Sequence, residues 1–122
     1  MFASRRLMVT AGVAALLVAG CSGAEPSGDV QEGPGGPDAT RIVADDAFFE
    51  PETLELETGT EATVEVTNEG GAPHDFTIEE LDLSSGTIEP GSVVTARFTV
   101  PEGETPFECT IHSGMEGVIT AS

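Results

Sequence analysis

Phe107-Glu-Cys-Thr-Ile-His-Ser-Gly-Met-Glu-Gly117 carries a cysteine, a histidine and a methionine at intervals of three residues. Strand alternation gives Cys109 the same face as Phe107, so both side chains point inward on a strand that ends near Thr110. The chain then turns through Thr-Ile-His-Ser-Gly-Met and enters a last strand at Glu116. Upstream, His74, Phe76 and Ile78 share one strand parity. His74 and Cys109 are therefore expected to face the same interior end. Beyond the first twenty residues, these two with His112 and Met115 are every His and Met in the chain, and every Cys except Cys21.

Working outward from this stretch, residues 39–122 read as short alternating segments split by Gly, Pro and Asn signals about every ten residues, the mark of an all-β fold. Candidate strands are Thr40–Ala44, Thr53–Glu57, Glu61–Thr67, His74–Glu80, Ser92–Val100, Thr105–Thr110 and Glu116–Ala121. Val94, Ala96, Phe98 and Val100 share one face of the fifth. The expectation is a small Greek-key β-sandwich of about seven strands. The stretch from Ser22 to Asp38 is Gly-, Pro- and acid-rich with only Ala24 and Val30 as aliphatics, and reads as a flexible tether.

The first twenty residues read as a signal peptide. Ser4-Arg5-Arg6 is a positive head and Leu7 to Ala19 an apolar run too short to span a membrane. Leu17-Val18-Ala19-Gly20-Cys21 resembles a bacterial lipobox, which implies that Cys21 is lipidated and anchors the protein to the outer face of the membrane. Ordinary cleavage near Gly20, leaving Cys21 a free thiol, is the alternative. The Arg pair does not separate a Sec from a twin-arginine signal. The division is thus 1–20 signal, 21–38 lipidated cysteine and linker, 39–122 folded domain. Cys109 is left as an unpaired thiol in an oxidising compartment, for which metal ligation is a reason.

All 22 acidic residues follow Cys21, whereas only Arg41 and Arg97 of the four basic ones do, so the net charge beyond Cys21 is about 2 − 22 = −20. Nucleic-acid binding is excluded for want of cations to meet phosphates. Adaptation to high salt and steering toward a basic partner face both fit this charge. Asp45-Asp46 and Glu79-Glu80 read as solvated surface.

Singly, Cys109 and Met115 would be core residues and His74 a hydrogen-bonded turn residue. Jointly, a thiolate, two imidazoles and a thioether form the donor set of a blue-copper centre: Cys109, His74 and His112 in a trigonal set with Met115 axial and weak. The Cys109-x-x-His112-x-x-Met115 spacing, Phe48-Phe49-Glu50-Pro51, Asn68 ahead of the first ligand and His74-Asp75-Phe76 resemble the cupredoxins, the plastocyanin and azurin superfamily, with the short ligand loop of amicyanin-like members.

The resemblance implies one copper per chain and a one-electron carrier, a monomer meeting a redox partner protein. By the same fit, Asp75 would hydrogen-bond Thr110 across to the ligand loop, and the Ile111 N–H would reach the Cys109 sulfur. Pro73 ahead of His74 implies no additional axial carbonyl. Small residues around His112 would let a partner approach closely. A copper-delivery lipoprotein on the same fold is the competing reading. An enzyme using Cys109 and His112 as nucleophile and base lacks an orienting residue, and no His remains for a further copper site.

Overall fold

A computed structural model of the protein describes residues 28–122, with two five-stranded sheets facing each other and no α-helix among them. The strands are β1 (Gly28–Glu32), β2 (Thr40–Asp45), β3 (Phe48–Glu50), β4 (Thr53–Leu56), β5 (Glu61–Asn68), β6 (Thr77–Ile78), β7 (Leu83–Ser84), β8 (Val93–Thr99), β9 (Gly103–Glu108) and β10 (Glu116–Ala121). One sheet runs β1-β8-β5-β2-β3 and the other β4-β10-β9-β6-β7, with β2 parallel to β5 and β4 parallel to β10.

Period-two alternation produces the core. Val64 and Val66 on β5, and Val94, Ala96 and Phe98 on β8, meet Phe107 and Ile119 from the opposite sheet, all buried. Phe49, Phe76 and Phe107 pack as a trio with ring centroids 5.1–6.2 Å apart. Phe76 and Phe107 lie two residues from His74 and Cys109, on the same strand faces. The trio is therefore the floor beneath the two ligand candidates, and aromatic burial of this kind fixes their backbone positions.

Six of the seven expected segments are strands within a few residues of their expected bounds. The fourth, His74–Glu80, shortens to Thr77–Ile78 and runs into a 3-10 turn at Glu79–Leu81. Its first residues bond elsewhere: the His74 N–H donates to the Ile88 carbonyl at 3.1 Å, and the Phe76 N–H donates to Ser85 Oγ at 2.8 Å. Three short strands, β1, β3 and β7, were not expected.

The larger difference is at the N-terminus. A flexible tether is expected as far as Asp38, whereas from Gly28, the first described residue, the chain is built into the sheet. β1 pairs antiparallel with β8 from Gly28↔Phe98 to Glu32↔Val94. Residues 33–39 then cross the outer face of β8 and β5 to reach β2. The Thr95 hydroxyl donates to the Gly33 carbonyl at 2.7 Å, and the Gly35 N–H donates to Glu65 Oε1 at 3.0 Å. A Cβ on Gly35 would stand 2.9–3.0 Å from Thr95, Ala39 and Thr63, so the crossing fits because that residue has none. Thr95 and Glu65 have outward parity, yet this cover buries them to 1% and 6% exposure. Polar partners across the sheet, rather than apolar side chains, order this segment. The signal peptide, Cys21 and the linker as far as residue 27 lie outside the described residues.

Candidate metal centre

One end of the sandwich collects the sequence's candidates. The β2–β3 turn at Asp46-Ala47, the loop after β5 from Glu69 to Pro73, and the β9–β10 loop from Cys109 to Met115 all lie there. Asn68 ties the second of these loops together while fully buried. Its amide donates to the carbonyls of Ala72 and Ile88, both at 2.8 Å, and its oxygen accepts the Gly70 N–H at 2.9 Å. That network sets the backbone just ahead of His74.

His74 is fully buried and Cys109 is 3% exposed. His74 Nδ1 lies 3.9 Å from Cys109 Sγ. Two donors bound about 2.0 and 2.3 Å from one ion at a trigonal angle stand roughly 3.8 Å apart, so this spacing suits a shared metal. The His74 and His112 rings lie 4.7 Å apart between centroids, tilted by 48°. His112, half-buried, places Nε2 3.2 Å from the Pro73 carbonyl. A carbonyl only accepts, so a hydrogen bond here needs the proton on Nε2, and in the neutral ring that leaves Nδ1 with its lone pair. Met115 is buried; its carbonyl accepts the Cys109 N–H at 2.9 Å and its N–H donates to the His112 carbonyl at 3.3 Å, closing the loop on itself. Among the described residues no three His, Cys, Asp or Glu side chains converge as a ready-made metal cluster. The close pair is Cys109 with His74, with His112 beside it.

The anticipated hydrogen bond between Asp75 and Thr110, which joins the segments carrying the ligand candidates, is present. Asp75 Oδ1 accepts the Thr110 N–H at 2.8 Å, and Asp75 Oδ2 takes the Thr110 hydroxyl. The donor at the sulfur differs from expectation. It is the Asp75 N–H, 3.4 Å from Sγ, and no hydrogen bond joins the Ile111 N–H to it among the described residues. Asp75 thus uses its backbone on the sulfur and its side chain on the loop, while Ile111 stands 46% exposed beside His112.

Asp46 is solvent-exposed, as expected, with its side chain 60% exposed, yet its carboxylate is also bonded to the loop ahead of His74. Its carboxylate accepts the Gly71 N–H at 3.1 and 3.2 Å and the Ala72 N–H at 3.3 Å, and Oδ1 lies 3.5 Å from His74 Nε2. The Gly71 N–H, then the Ala72 N–H and the His74 ring, hold the Asp46 carboxyl below the usual carboxylate range against an opposing push from desolvation. An aspartate in a turn gives no sequence signal of this; it follows from the pairing of β2 with β5, which sets the turn against residues 70–72.

The chain belongs to the cupredoxin-like family: the model of the cupredoxin-like domain matches residues 9–121. Among solved structures it is similar to an amicyanin variant in its reduced Cu(I) form at pH 4, at 17% identity and a TM-score of 0.65 over 79% of this chain and 99% of that one. Dithionite-reduced auracyanin from the photosynthetic bacterium Roseiflexus castenholzii matches at 22% identity and a TM-score of 0.61 over 72% and 99%. A purple cupredoxin from Nitrosopumilus maritimus matches at 22% and 0.55 over 68% and 99%. At these identities the likeness is one of fold. No curated protein matches the sequence.

Proposed function

We propose that this protein is a type 1 copper protein that carries single electrons outside the cytoplasmic membrane. Copper would be held by His74, Cys109 and His112, with Met115 as a weak axial ligand. The observation that carries this reading is the buried Cys109 thiol facing His74 Nδ1 at 3.9 Å with the Asp75 N–H on its sulfur. A buried, free cysteine beside an imidazole is the donor pair that a soft metal takes. Copper in this donor set would supply a one-electron couple. The chain's own part is to hold the donors still: the aromatic floor below, the Asp75–Thr110 clamp between the segments, and the bonded Nε2 of His112 leave little to rearrange between oxidation states.

The His112 edge, bordered by exposed Ile111, Ser113 and Gly114, is where a partner protein would approach. Beside it an open cleft of about 330 Å³ is lined by Glu79, Glu80, Glu108 and Glu116, which suits a partner with a basic docking face. Lipidation of Cys21 would hold the domain on the outer side of the membrane. Only residues 22–27 separate Cys21 from β1, a leash of at most about 20 Å. Gly28 opposes Phe98 on β8, at the end of the sandwich away from the ligand loop. An anchor there leaves the His112 end turned outward.

The test is Cu(II) added to the chain from Ser22 onward, which keeps β1, followed by visible absorption and electron paramagnetic resonance. An intense thiolate-to-copper band is expected, abolished in Cys109→Ser. A wild-type protein that stays colourless and hands Cu(I) to an acceptor would replace the carrier reading with copper delivery.

A further inference from the structure

His74 Nε2 is fully buried and has no hydrogen-bond partner within normal geometry. A buried N–H left so costs about 1–3 kcal/mol. Asp46 Oδ1, on a side chain 60% exposed, lies 3.5 Å from it, a charge-pair distance at the outer limit of a hydrogen bond. The two observations agree: the nitrogen and the carboxylate oxygen stand close without completing a hydrogen bond, a gap that a small shift of the Asp46-Ala47 turn would close. The space between them is kept clear by Gly70. A Cβ there would stand 2.4 Å from Asp46 Oδ1 and 3.0 Å from His74 Nε2, so any other residue would drive the two apart. The carboxylate is itself held in place by the Gly71 and Ala72 N–H groups.

We propose that Asp46 is the positioning residue of His74: its carboxylate accepts a hydrogen bond from the Nε2–H, fixes the tautomer that presents Nδ1 toward Cys109, and biases the centre toward the oxidised metal. The proposal rests on His74 being a metal ligand. A carboxylate on the far nitrogen makes an imidazole a more basic donor, which favours the more highly charged metal. His112 has only a neutral carbonyl in the equivalent place. The two imidazoles are therefore unequal, with His74 the stronger donor and His112 the weaker, more exposed one.

The experiment compares wild type, Asp46→Asn and Asp45→Asn in the full chain. Asparagine at 46 keeps an oxygen for the Gly71 and Ala72 N–H groups but loses the charge. At 45 the same charge is lost from a residue whose carboxylate accepts only the Asp46 N–H among the hydrogen bonds present. In the metal-free protein, nitrogen-15 NMR of the ring is expected to show His74 protonated at Nε2 in wild type and in Asp45→Asn, and a mixture of tautomers in Asp46→Asn. With copper bound, Asp46→Asn is expected to weaken Cu(II) relative to Cu(I) binding about tenfold, a rise in reduction potential of about 59 mV, with a much smaller change in Asp45→Asn. An unchanged tautomer and potential in Asp46→Asn overturns the proposal. Equal shifts in both variants overturn it too, because net charge alone then explains them. If no copper centre forms, the carrier reading fails, and the metal-free tautomer still decides the role of Asp46.

Discussion

The N-terminal segment from Gly28 to Ala39 and the ligand loop from Cys109 to Met115 are both polar, glycine-containing and poor in aliphatic side chains, yet they are ordered by opposite means. The loop is held from within and by one neighbouring segment: its own Cys109–Met115 and His112–Met115 backbone bonds, the Asp75 clamp on Thr110, and the Pro73 carbonyl at His112. The N-terminal segment is held almost wholly by other strands, through the β1–β8 ladder, Thr95 and Glu65. A segment that carries its own restraints shows them in its sequence. A segment restrained by partners thirty to seventy residues away does not. If that distinction is physical, damage to the two regions should separate: one should cost stability and spare the metal centre, the other the reverse.

The largest effect should come from removing β1 and its crossing. A chain beginning at Asp38 loses the ladder to β8, the Gly33–Thr95 and Gly35–Glu65 hydrogen bonds, and the cover over that outer face. A net cost of about 2–3 kcal/mol is expected, the size of a few net hydrogen bonds, and a fall in melting temperature on the order of 10 °C for a domain of this size. The bared β8 edge should also pair with a second copy, since an open edge is a template for another strand. The copper spectrum, however, should be unchanged, because none of the ligand candidates touches this segment. A changed spectrum together with an unchanged melting temperature would show the comparison to be wrong.

This contrast also explains what was legible in the sequence. The sandwich could be read because Val64, Val66, Val94, Ala96 and Phe98 alternate cleanly, and the ligand end because Cys109 and His74 share parity with the buried phenylalanines. β1 could not, because its five residues include two acids and a single aliphatic, Val30, and its order comes from backbone pairing that no side chain announces. Glu65 and Thr95 look like solvent-facing positions until the crossing chain covers them. Asp46 is exposed, as its composition suggests, but its bonds to Gly71 and Ala72 depend on which loop faces the turn, and register is not written in a turn's composition. The resemblance points to the Ile111 N–H as the sulfur's donor; Asp75 supplies it instead because the pairing of β6 with β9, which sets Thr77 opposite Glu108, brings Asp75 beside Cys109.

The next effect belongs to the loop. Asp75→Ala removes the carboxylate that bonds both the N–H and the hydroxyl of Thr110. Copper affinity is expected to fall about tenfold, or about 1.4 kcal/mol, the lower end of what an outer-shell partner is worth. Competition with a chelator measures it, alongside the melting temperature of the metal-free protein. The metal-free protein should lose less stability than the truncated chain does. An unchanged affinity and reduction potential would remove the clamp from the account of the site.

The smallest effect tests how β1 is attached. Arg41 and Arg97 are the only Lys or Arg residues after Cys21, and both lie in this region: Arg41 donates to Glu65 at 2.9 Å, and Arg97 donates to the Gln31 side chain at 3.0 Å and stands opposite Asp29. In so acidic a chain it is tempting to assign the attachment to these two charges. The Arg97 contact is solvent-exposed, and exposed contacts of this kind contribute little. Arg97→Ala is therefore expected to cost within about 0.5 kcal/mol, read by denaturant unfolding at low salt and at about 1 M salt. The rise in salt should stabilise wild type and variant alike, because screening relieves repulsion among the 22 acids more than it weakens a single contact. A loss in Arg97→Ala as large as that of the truncation, disappearing at high salt, would mean that charge rather than backbone pairing holds the strand. The N-terminal segment would then be a salt-dependent latch on the domain and not a fixed part of its sheet.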